Sequence, residues 1–373
     1  QEPYENTHPP LGKLIIAAGI SIFGFNPFGW RIMGVLFASL MLPITYIIGK
    51  KIIGSWIGGL ASSFLLMFDF MHFTLSRIAT IDTFLVFFLL CSQLFFITYF
   101  LEVLETGWST SLHPYFLGVF MLALGFSVKW TALFSFVGNL FYIGVLRLYY
   151  TPKKVEYASD YILTNKKIIY AVCGTIAIFG LVYFLSYVPY MNLGHSLNEV
   201  YNRQWSMLDY HSTLTVKHSF SSPWWSWPLI LRPVWLYISY LGEKSVSTIT
   251  LMGNPMFWWI GFITIFDLFK NAINEKKPLT IYLVAIFLFQ WIPYSLISRD
   301  LFLYHFYPNI ILLALSTSLM IHKLWSEYKN RKRVITYLIL IVALFGLFYP
   351  IISGNIVSTW WRDLLKWFPS WVF

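Results

Sequence analysis

Residues 83–101 read TFLVFFLLCSQLFFITYFL, nineteen consecutive residues without a charged side chain. A helix of about 20 mostly apolar residues is long enough to cross the hydrocarbon core of a bilayer. This stretch therefore predicts a transmembrane helix, and it decides the fold class because the chain repeats the pattern. Ten runs qualify, at about Ile32–Ile48, Trp56–His72, Thr83–Leu101, Tyr115–Val128, Leu133–Leu148, Ile168–Tyr190, Met256–Leu268, Leu279–Leu296, Tyr307–Leu324 and Val334–Ile352.

The composition points the same way. Of the 373 residues, 58% are hydrophobic, 20% are aromatic and only 11% are charged, whereas about a quarter of the residues in a soluble domain are charged. A soluble enzyme and a disordered protein are therefore excluded. Cys91 and Cys173 lie inside apolar runs, which argues against a disulfide framework. We predict an all-α polytopic membrane protein that forms a single transmembrane domain over residues 1–373.

Three segments are less certain spans. The runs at 115–128 and 256–268 are short, so each is either half-inserted or longer than drawn. Leu11–Phe25 is apolar but too short to cross, and it follows a His-Pro-Pro sequence. An amphipathic helix in the membrane interface fits it better. Residues 1–30 are accordingly interpreted as an outer loop followed by an interfacial helix.

The net charge of +10 divides unevenly between the two alternating sets of loops. The loops near 49–55, 102–114, 147–167, 267–278 and 322–333 carry 15 Lys and Arg against 7 Asp and Glu, a net of +8. The remaining segments carry a net of +2. Because cytoplasmic loops are enriched in Lys and Arg, the first set is predicted to be cytoplasmic and both ends of the chain to face outside. A further span upstream of Gln1 would make eleven.

The largest outer loop, at 191–255, is rich in Trp, Tyr and His. We expect it to fold onto the membrane surface. The Trp residues between 224 and 235 are either an aromatic belt at the headgroup level or contacts to a substrate.

Ionisable residues near hydrocarbon are costly unless they are paired or functional. Here they gather on the predicted outer side, in five separated segments. Alternatives stay open for each of them: Lys13, Lys129 and Arg232 could be snorkelling interface residues, and the histidines could be structural. Asp82 could form a local ion pair with Arg77. The outer-side residues are His8, Lys13, Asp69, His72, Arg77, Asp82, Lys129, His195, His211, His218, Arg232, Arg299, Asp300 and His305.

This mixture of side chains suits an anionic lipid phosphate. Arginine offers a bidentate fork and lysine a point charge, and a nearby carboxylate could act as a general base on an incoming hydroxyl. Transfer of a sugar from a lipid phosphate needs both functions, because the leaving phosphate must be neutralised and the acceptor must lose a proton.

The chain resembles the dolichyl- or polyprenyl-phosphate-mannose protein O-mannosyltransferases, glycosyltransferase family 39, which have the GT-C fold. The resemblance covers nearly the whole chain, and it is the ordered set of motifs, not any single motif, that is specific. It implies mannose transfer from a polyprenyl phosphate to Ser/Thr hydroxyls of proteins on the outer membrane face, without an added β-trefoil domain. The motifs are His8-Pro-Pro-Leu-Gly-Lys13, Asn26-Pro-Phe-Gly-Trp-Arg31, Asp69-Phe-Met-His-Phe73, Ser76-Arg-Ile-Ala-Thr-Ile-Asp82, Ser127-Val-Lys-Trp130, His218 through Arg232-Pro233, Gly253-Asn-Pro255, Trp258-Trp259 and Arg299 through Tyr304-His305.

The resemblance also implies roles for the matched positions. Lipid-phosphate binding is expected of Arg77, Arg299, Tyr304 and His305. The border of the active site is expected to include His8, Lys13, Asp82, Lys129, His211, His218 and Arg232.

One feature of the family is missing. Its Asp-Glu pair, whose Asp is the expected catalytic base, should precede the His-Pro-Pro motif, yet only Glu2 and Glu5 stand there. We expect the pair upstream of Gln1, in a sequence of which this chain is an N-terminally truncated part. The 373-residue chain alone is then expected to be inactive.

Competing functions differ in acceptor or in class. A relative of the lipid A aminoarabinose transferases would share the lipid-phosphate chemistry, but the Trp-rich segment and Asn254-Pro255 favour protein mannosylation. A transporter would need broken helices with charges at mid-membrane and repeated halves, which the sequence does not show. The basic runs are too short and separated for nucleic-acid binding.

No metal site or certain cofactor is predicted, and a dimer stays possible. The expected partners are the lipid-linked donor, acceptor proteins and membrane lipids.

Overall fold

The computed structural model describes residues 7–149 and 158–373. The expectation for Glu2 and Glu5 therefore lies outside the described residues. Helices dominate the described chain and are numbered here in chain order. They are α1 (Leu11–Phe23), α2 (Pro27–Ile53), α3 (Trp56–Met67), α4 (Phe70–Ser76), α5 (Asp82–Thr106), α6 (His113–Val128), α7 (Ala132–Tyr149), α8 (Ala158–Asn192), α9 (Leu197–Thr213), α10 (Pro255–Glu275), α11 (Pro278–Phe289), α12 (Tyr307–Ser326), α13 (Arg331–Ser353) and α14 (Thr359–Leu364).

The helical membrane fold is confirmed, and each of the ten predicted runs lies on one helix or on two consecutive helical segments. Within the described residues, eight helical segments are long and apolar enough to cross a membrane, and a ninth is the bent pair α3–α4. The short run at 256–268 is longer than drawn, since α10 has 21 residues. The run at 115–128 remains short, because α6 has 16 residues.

The predicted span Trp56–His72 is not one straight helix. Helix α3 ends at Met67, and α4 begins at Phe70 with its axis turned by 62°. The break has a local cause: the carboxylate of Asp69 accepts the backbone N–H of His72 at 2.9 Å and so caps a new helix.

A small antiparallel sheet is the element that an all-α prediction lacked. Strands β1 (Val234–Tyr240), β2 (Ser245–Leu251) and β3 (Ile356–Ser358) pair in the order β1-β2-β3, with Val234 opposite Leu251 and Val246 opposite Val357. Two of these strands lie in the large loop at 191–255, which also contains α9 and a 3-10 turn at Trp224–Leu229. That loop is therefore largely structured.

The chain packs as two compact units, each assembled from three segments. The first comprises Gln1–Met33, Ile81–Leu214 and Lys276–Phe289. In it α6 lies between α5 and α8, and α7 packs on α11. A buried polar cluster joins α5, α7 and α11, because the hydroxyl of Tyr282 donates to the side chains of Gln93 and Asn139.

The second unit comprises Gly34–Thr80, Thr215–Glu275 and Gln290–Phe373. Its centre is the buried helix α12, which packs against α3, α10 and α13. Strand β2 lies on α13 and α4. The sheet is thus anchored to the part of this unit that contains the broken span.

Candidate active site

The first unit contains a buried ion pair between two predicted site residues. The ammonium Nζ of Lys129 donates to Asp82 Oδ1 at 2.9 Å, and the two side chains are only 7% and 14% exposed. Asp82 is the first residue of α5, and Lys129 caps the C-terminal end of α6 in an extended conformation. Asp82 thus pairs with Lys129, 47 residues away in sequence, and the alternative of a local pair with Arg77 is wrong.

Helix α1 packs close to this ion pair at Gly12. A Cβ added to Gly12 would lie 2.8 Å from Ile81 Cγ2 and 3.1 Å from Val128 Cγ1. Those two residues directly precede Asp82 and Lys129. The glycine of the His-Pro-Pro-Leu-Gly-Lys motif is therefore what allows α1 to approach the start of α5 and the end of α6 so closely.

Two predicted histidines meet beside the start of α1. The rings of His8 and His211 stack with their centroids 5.2 Å apart. His211 Nε2 donates to the carbonyl of Thr7 at 2.7 Å, and Lys13 Nζ donates to the carbonyl of His8 at 3.3 Å. The first unit therefore brings together five predicted residues: His8, Lys13, Asp82, Lys129 and His211.

A chain of hydrogen bonds ties α9, which carries His211, to the loop that follows Lys129. Trp130 Nε1 donates to the hydroxyl of Tyr183 at 3.1 Å, and that hydroxyl donates to Gln204 Oε1 at 2.6 Å. Gln204 and His211 are two helical turns apart on one side of α9. The position of His211 is thus fixed by the same loop that presents Lys129.

In the second unit, Arg77 has a structural contact. Its guanidinium donates to the carbonyl of Ser353, the last residue of α13, at 3.2 Å, and it lies 4.9 Å from the centre of the Phe73 ring. A cation at the C-terminal end of a helix is favoured by the helix dipole. Arg77 therefore joins the end of α4 to the end of α13.

The predicted residues His218 and Arg232 belong to a loop held by a carboxylate. Asp300 Oδ2 accepts the backbone N–H of His218 at 2.6 Å, and this bond lowers the pKa of Asp300 below its ordinary value. Arg232 donates to the carbonyl of Ser219 at 2.6 Å. Asp300 thus organises the loop that contains both predicted residues.

Three predicted residues lie in the turn before α12. His305 is only 4% exposed and stacks against Trp227, with its centroid 5.8 Å away, and against Tyr304 at 4.6 Å. Tyr304 also stacks on Phe302. Arg299 is half-buried, and it makes no hydrogen bond or ion pair to any residue that the structure describes.

The sequence interpretation missed the buried environment of Asp69. This carboxylate is completely buried, and its Oδ2 accepts Trp258 Nε1 at 2.6 Å and the backbone N–H of Asn254 at 3.3 Å. A Cβ on Gly253 would lie 2.1 Å from the Trp258 ring, so this position requires glycine. The motifs at 69–73 and 253–259 were recognised separately, but only their contact explains the residues in them.

Among the described residues, no group of three or more His, Cys, Asp or Glu side chains could hold a metal ion. The absence of a metal stays a prediction.

Two family descriptions match the chain. Residues 26–192 match "Dolichyl-phosphate-mannose-protein mannosyltransferase", and residues 196–371 match "C-terminal four TMM region of protein-O-mannosyltransferase". Among similar proteins are the polyprenol-phosphate-mannose–protein mannosyltransferases of Corynebacterium glutamicum, 27% identical, and Mycolicibacterium smegmatis, 26% identical. Each alignment covers 98% of this chain and 81% of the relative.

Solved structures agree on the fold. The Saccharomyces cerevisiae protein O-mannosyltransferase Pmt1-Pmt2 complex, bound to the sugar donor, matches with a TM-score of 0.78 at 13% identity, over 100% of this chain and 87% of that chain. ArnT from Cupriavidus metallidurans matches at 0.58 and 14% identity, over 92% of this chain and 54% of that chain. Because the two family regions together cover nearly all of the chain, it belongs to the protein O-mannosyltransferase family of GT-C-fold membrane glycosyltransferases.

Proposed function

We propose that this protein transfers mannose from a polyprenyl-phosphate donor to Ser/Thr hydroxyls of acceptor proteins. The observation that carries the proposal is the match of both family regions along the chain. We further propose that the protein is a multi-pass protein of the cell membrane, with its active site on the extracytoplasmic face.

The geometry of the first unit fits departure of a lipid phosphate. Negative charge develops on that phosphate as its bond to the sugar breaks, and a preorganised cation stabilises such charge best where water is excluded. Lys129 is placed to supply such a cation, because its ammonium lies 2.9 Å from Asp82 and only 7% of its side chain is exposed. The N-terminus of α5, at Asp82, adds the positive end of a helix dipole. We assign this position to the leaving phosphate.

The described contacts refine the residues that the sequence assigned to lipid-phosphate binding. Arg77 and His305 already have structural contacts, to the end of α13 and to a ring stack. Arg299 has no hydrogen bond or ion pair to a described residue, so it can offer its whole guanidinium fork to a phosphate. We propose Arg299 as the phosphate contact of the second unit, and Arg77, Tyr304 and His305 as residues that shape it.

The general base is the remaining requirement. No carboxylate of the described residues is assigned this role. Asp82 is engaged with Lys129, and Asp300 with the His218 loop.

The test is a transfer assay in proteoliposomes. We would supply polyprenyl-phosphate [3H]mannose with a Ser/Thr peptide or its Ala-substituted control, using the purified protein. We expect label in the Ser/Thr peptide and none in the Ala-substituted control. Label in neither peptide would contradict the proposed function. Transfer to a glycolipid instead of the peptide would favour the aminoarabinose-transferase alternative, and donor counterflow without transfer would favour a transporter.

Single substitutions locate the site. Lys129→Met and Arg299→Met should each lower transfer at limiting donor, because each removes a cation assigned to the phosphate. Lys270→Met is the matched control, since Lys270 is exposed near the end of α10. An unchanged rate in both test variants would remove the proposed phosphate contacts while leaving the proposed reaction intact.

A further inference from the structure

Helix α9 has three distinct sides. Its inner side, formed by Val200, Gln204, Met207 and His211, faces the protein: Met207 is fully buried, and Gln204 and His211 make the hydrogen bonds described above. Because these contacts fix the rotation of α9 about its axis, the orientation of its other two sides is also fixed.

The second side is apolar and exposed. Leu197, Tyr201, Trp205 and Leu208 are 61%, 59%, 56% and 48% exposed. At 3.6 residues per turn they occupy a sector of about 80°, directly beside the inner side. The rings of Tyr201 and Trp205 touch edge to face, with centroids 6.2 Å apart. Four large apolar side chains in one exposed row are more than the scattered surface hydrophobics of an ordinary helix.

The third side, which lies opposite the inner side and next to the apolar row, is polar and exposed. Asn198, Glu199, Asn202, Ser206 and Asp209 lie there. A helix that packs on the protein with one side and exposes both an apolar and a polar side suits a position at the bilayer surface, next to the helical bundle. Tyr and Trp are the residues enriched at the level of the lipid headgroups.

The preceding helix identifies what covers the apolar row. The segment Lys166–Asn192 of α8 is long and apolar enough to cross the membrane. Its exposed residues Leu181, Phe184 and Leu185 need lipid around them, and the exposed Leu193 continues this surface into α9. Helix α9 begins five residues after Asn192, so it starts where the chain leaves the hydrocarbon.

We propose that α9 is an interfacial helix whose row Leu197–Tyr201–Trp205–Leu208 docks on the lipid bilayer. The bilayer then supports α9 from one side, while hydrogen bonds to Tyr183 and Thr7 hold it from the other. Through these contacts the lipid surface sets the position of His211, and with it the stacked His8.

Site-directed spin labelling tests the proposal without any substrate, so its outcome is independent of the proposed function. Cys91 is buried, and only the exposed Cys173 needs replacement by Ala. Single labels at Leu208→Cys and Ser206→Cys compare the apolar and polar sides within one helical turn. In vesicles, we expect the ratio of accessibility to oxygen over that to a water-soluble nickel chelate to be severalfold higher at 208 than at 206.

A second pair, Tyr201→Cys and Asn202→Cys, guards against a local effect of one substitution and should give the same order. Equal access of the nickel chelate to both members of each pair would overturn the proposal, because α9 would then lie in water. Dipolar broadening between labels at 208 of two copies would also overturn it, because a second chain would then cover the apolar row.

Discussion

A lysine with 7% of its side chain exposed and a carboxylate with 14% exposed form one interacting unit at the ends of α5 and α6. Removing one member of a buried ion pair leaves the other charge uncompensated, at a cost of about 3–5 kcal/mol, whereas removing both members is often close to neutral. Comparing the single variants with the double variant therefore distinguishes a structural role of Lys129 from a catalytic one.

We therefore expect Asp82→Asn and Lys129→Met each to lower the thermal unfolding midpoint, and the double variant to recover most of that loss. If Lys129 also contacts the leaving phosphate, transfer activity will stay low in the double variant although its stability returns. Thermal unfolding in detergent and donor-limited transfer rates measure the two effects. Recovery of both properties together would reduce Lys129 to a structural partner of Asp82.

Gly12 gives a second prediction at the scale of one residue. In Gly12→Ala the new methyl would meet Ile81 Cγ2 at 2.8 Å, so α1 or the start of α5 must shift. We expect transfer to fall by about tenfold, since small displacements of positioned groups carry costs of that order or more. Gly144→Ala is the control, because nothing lies within 4 Å of a Cβ at that position of α7. Equal rates for the two variants would show that α1 does not border the site.

Residue identities were predictable from the sequence where a motif carried them, but their contacts were not. His305 and Arg77 belong to motifs of the family, yet the ring stack around His305 and the contact of Arg77 with the end of α13 depend on residues 78 and 276 positions away in sequence. Chain spacing gives no information about such pairs. The same holds for Asp82, whose partner is Lys129.

At the scale of elements, the broken span is a feature that hydropathy alone does not predict. Trp56–His72 is apolar enough to be read as one helix, but the capping carboxylate of Asp69 ends α3 and starts α4. The three-stranded sheet was missed for a related reason, because two of its strands lie in a loop and the third follows α13, so only tertiary pairing creates it.

Asp69→Ala should destabilise the second unit strongly. It leaves Trp258 Nε1 and the backbone N–H groups of His72 and Asn254 without their acceptor in a buried place, at about 1–3 kcal/mol for each unsatisfied group. Ser55→Ala is the matched control, since Ser55 caps α3 through one bond to Ile57 N, a cap worth about 1 kcal/mol. Similar shifts of the unfolding midpoint in the two variants would mean that Asp69 is only a helix cap.

The loop held by Asp300 should respond to acid in a defined range. Because the folded pKa of Asp300 is lowered, its stabilising contribution is complete above the unfolded pKa of about 3.9 and is lost as the pH falls through the lower folded value. We therefore expect hydrogen exchange of residues 217–222 to be unchanged between pH 5 and 8, after correction for the intrinsic rate. Asp300→Asn should speed exchange at every pH in that range. Faster exchange of the unsubstituted protein already at pH 6 would contradict this assignment.

At the scale of the whole molecule, the open question is whether α6 crosses the membrane. Its 16 residues span about 24 Å, against a hydrocarbon core of about 30 Å. The alternation of basic loops requires ten crossings, including this one. Contacts between α8 and the loop before α6 support a crossing by α6. Lys167 Nζ donates to the carbonyls of Ser109 and Thr110 at 2.5 and 2.9 Å. The start of the α8 span and the start of α6 thus lie at the same end of the first unit.

Since α7 crosses once between those two points, α6 must cross as well to bring the chain back to the same side. Ser109 and Ser206 are then separated by three crossings, α6, α7 and α8, and lie on opposite faces of the membrane. The excess of Lys and Arg predicts that the face with Ser109 is cytoplasmic. In a background with Cys173→Ala, an impermeant maleimide should label Ser206→Cys in intact cells and Ser109→Cys only after permeabilisation. Labelling of both positions from one side would mean that α6 is a re-entrant segment, and it would reverse the predicted sidedness of every loop that follows.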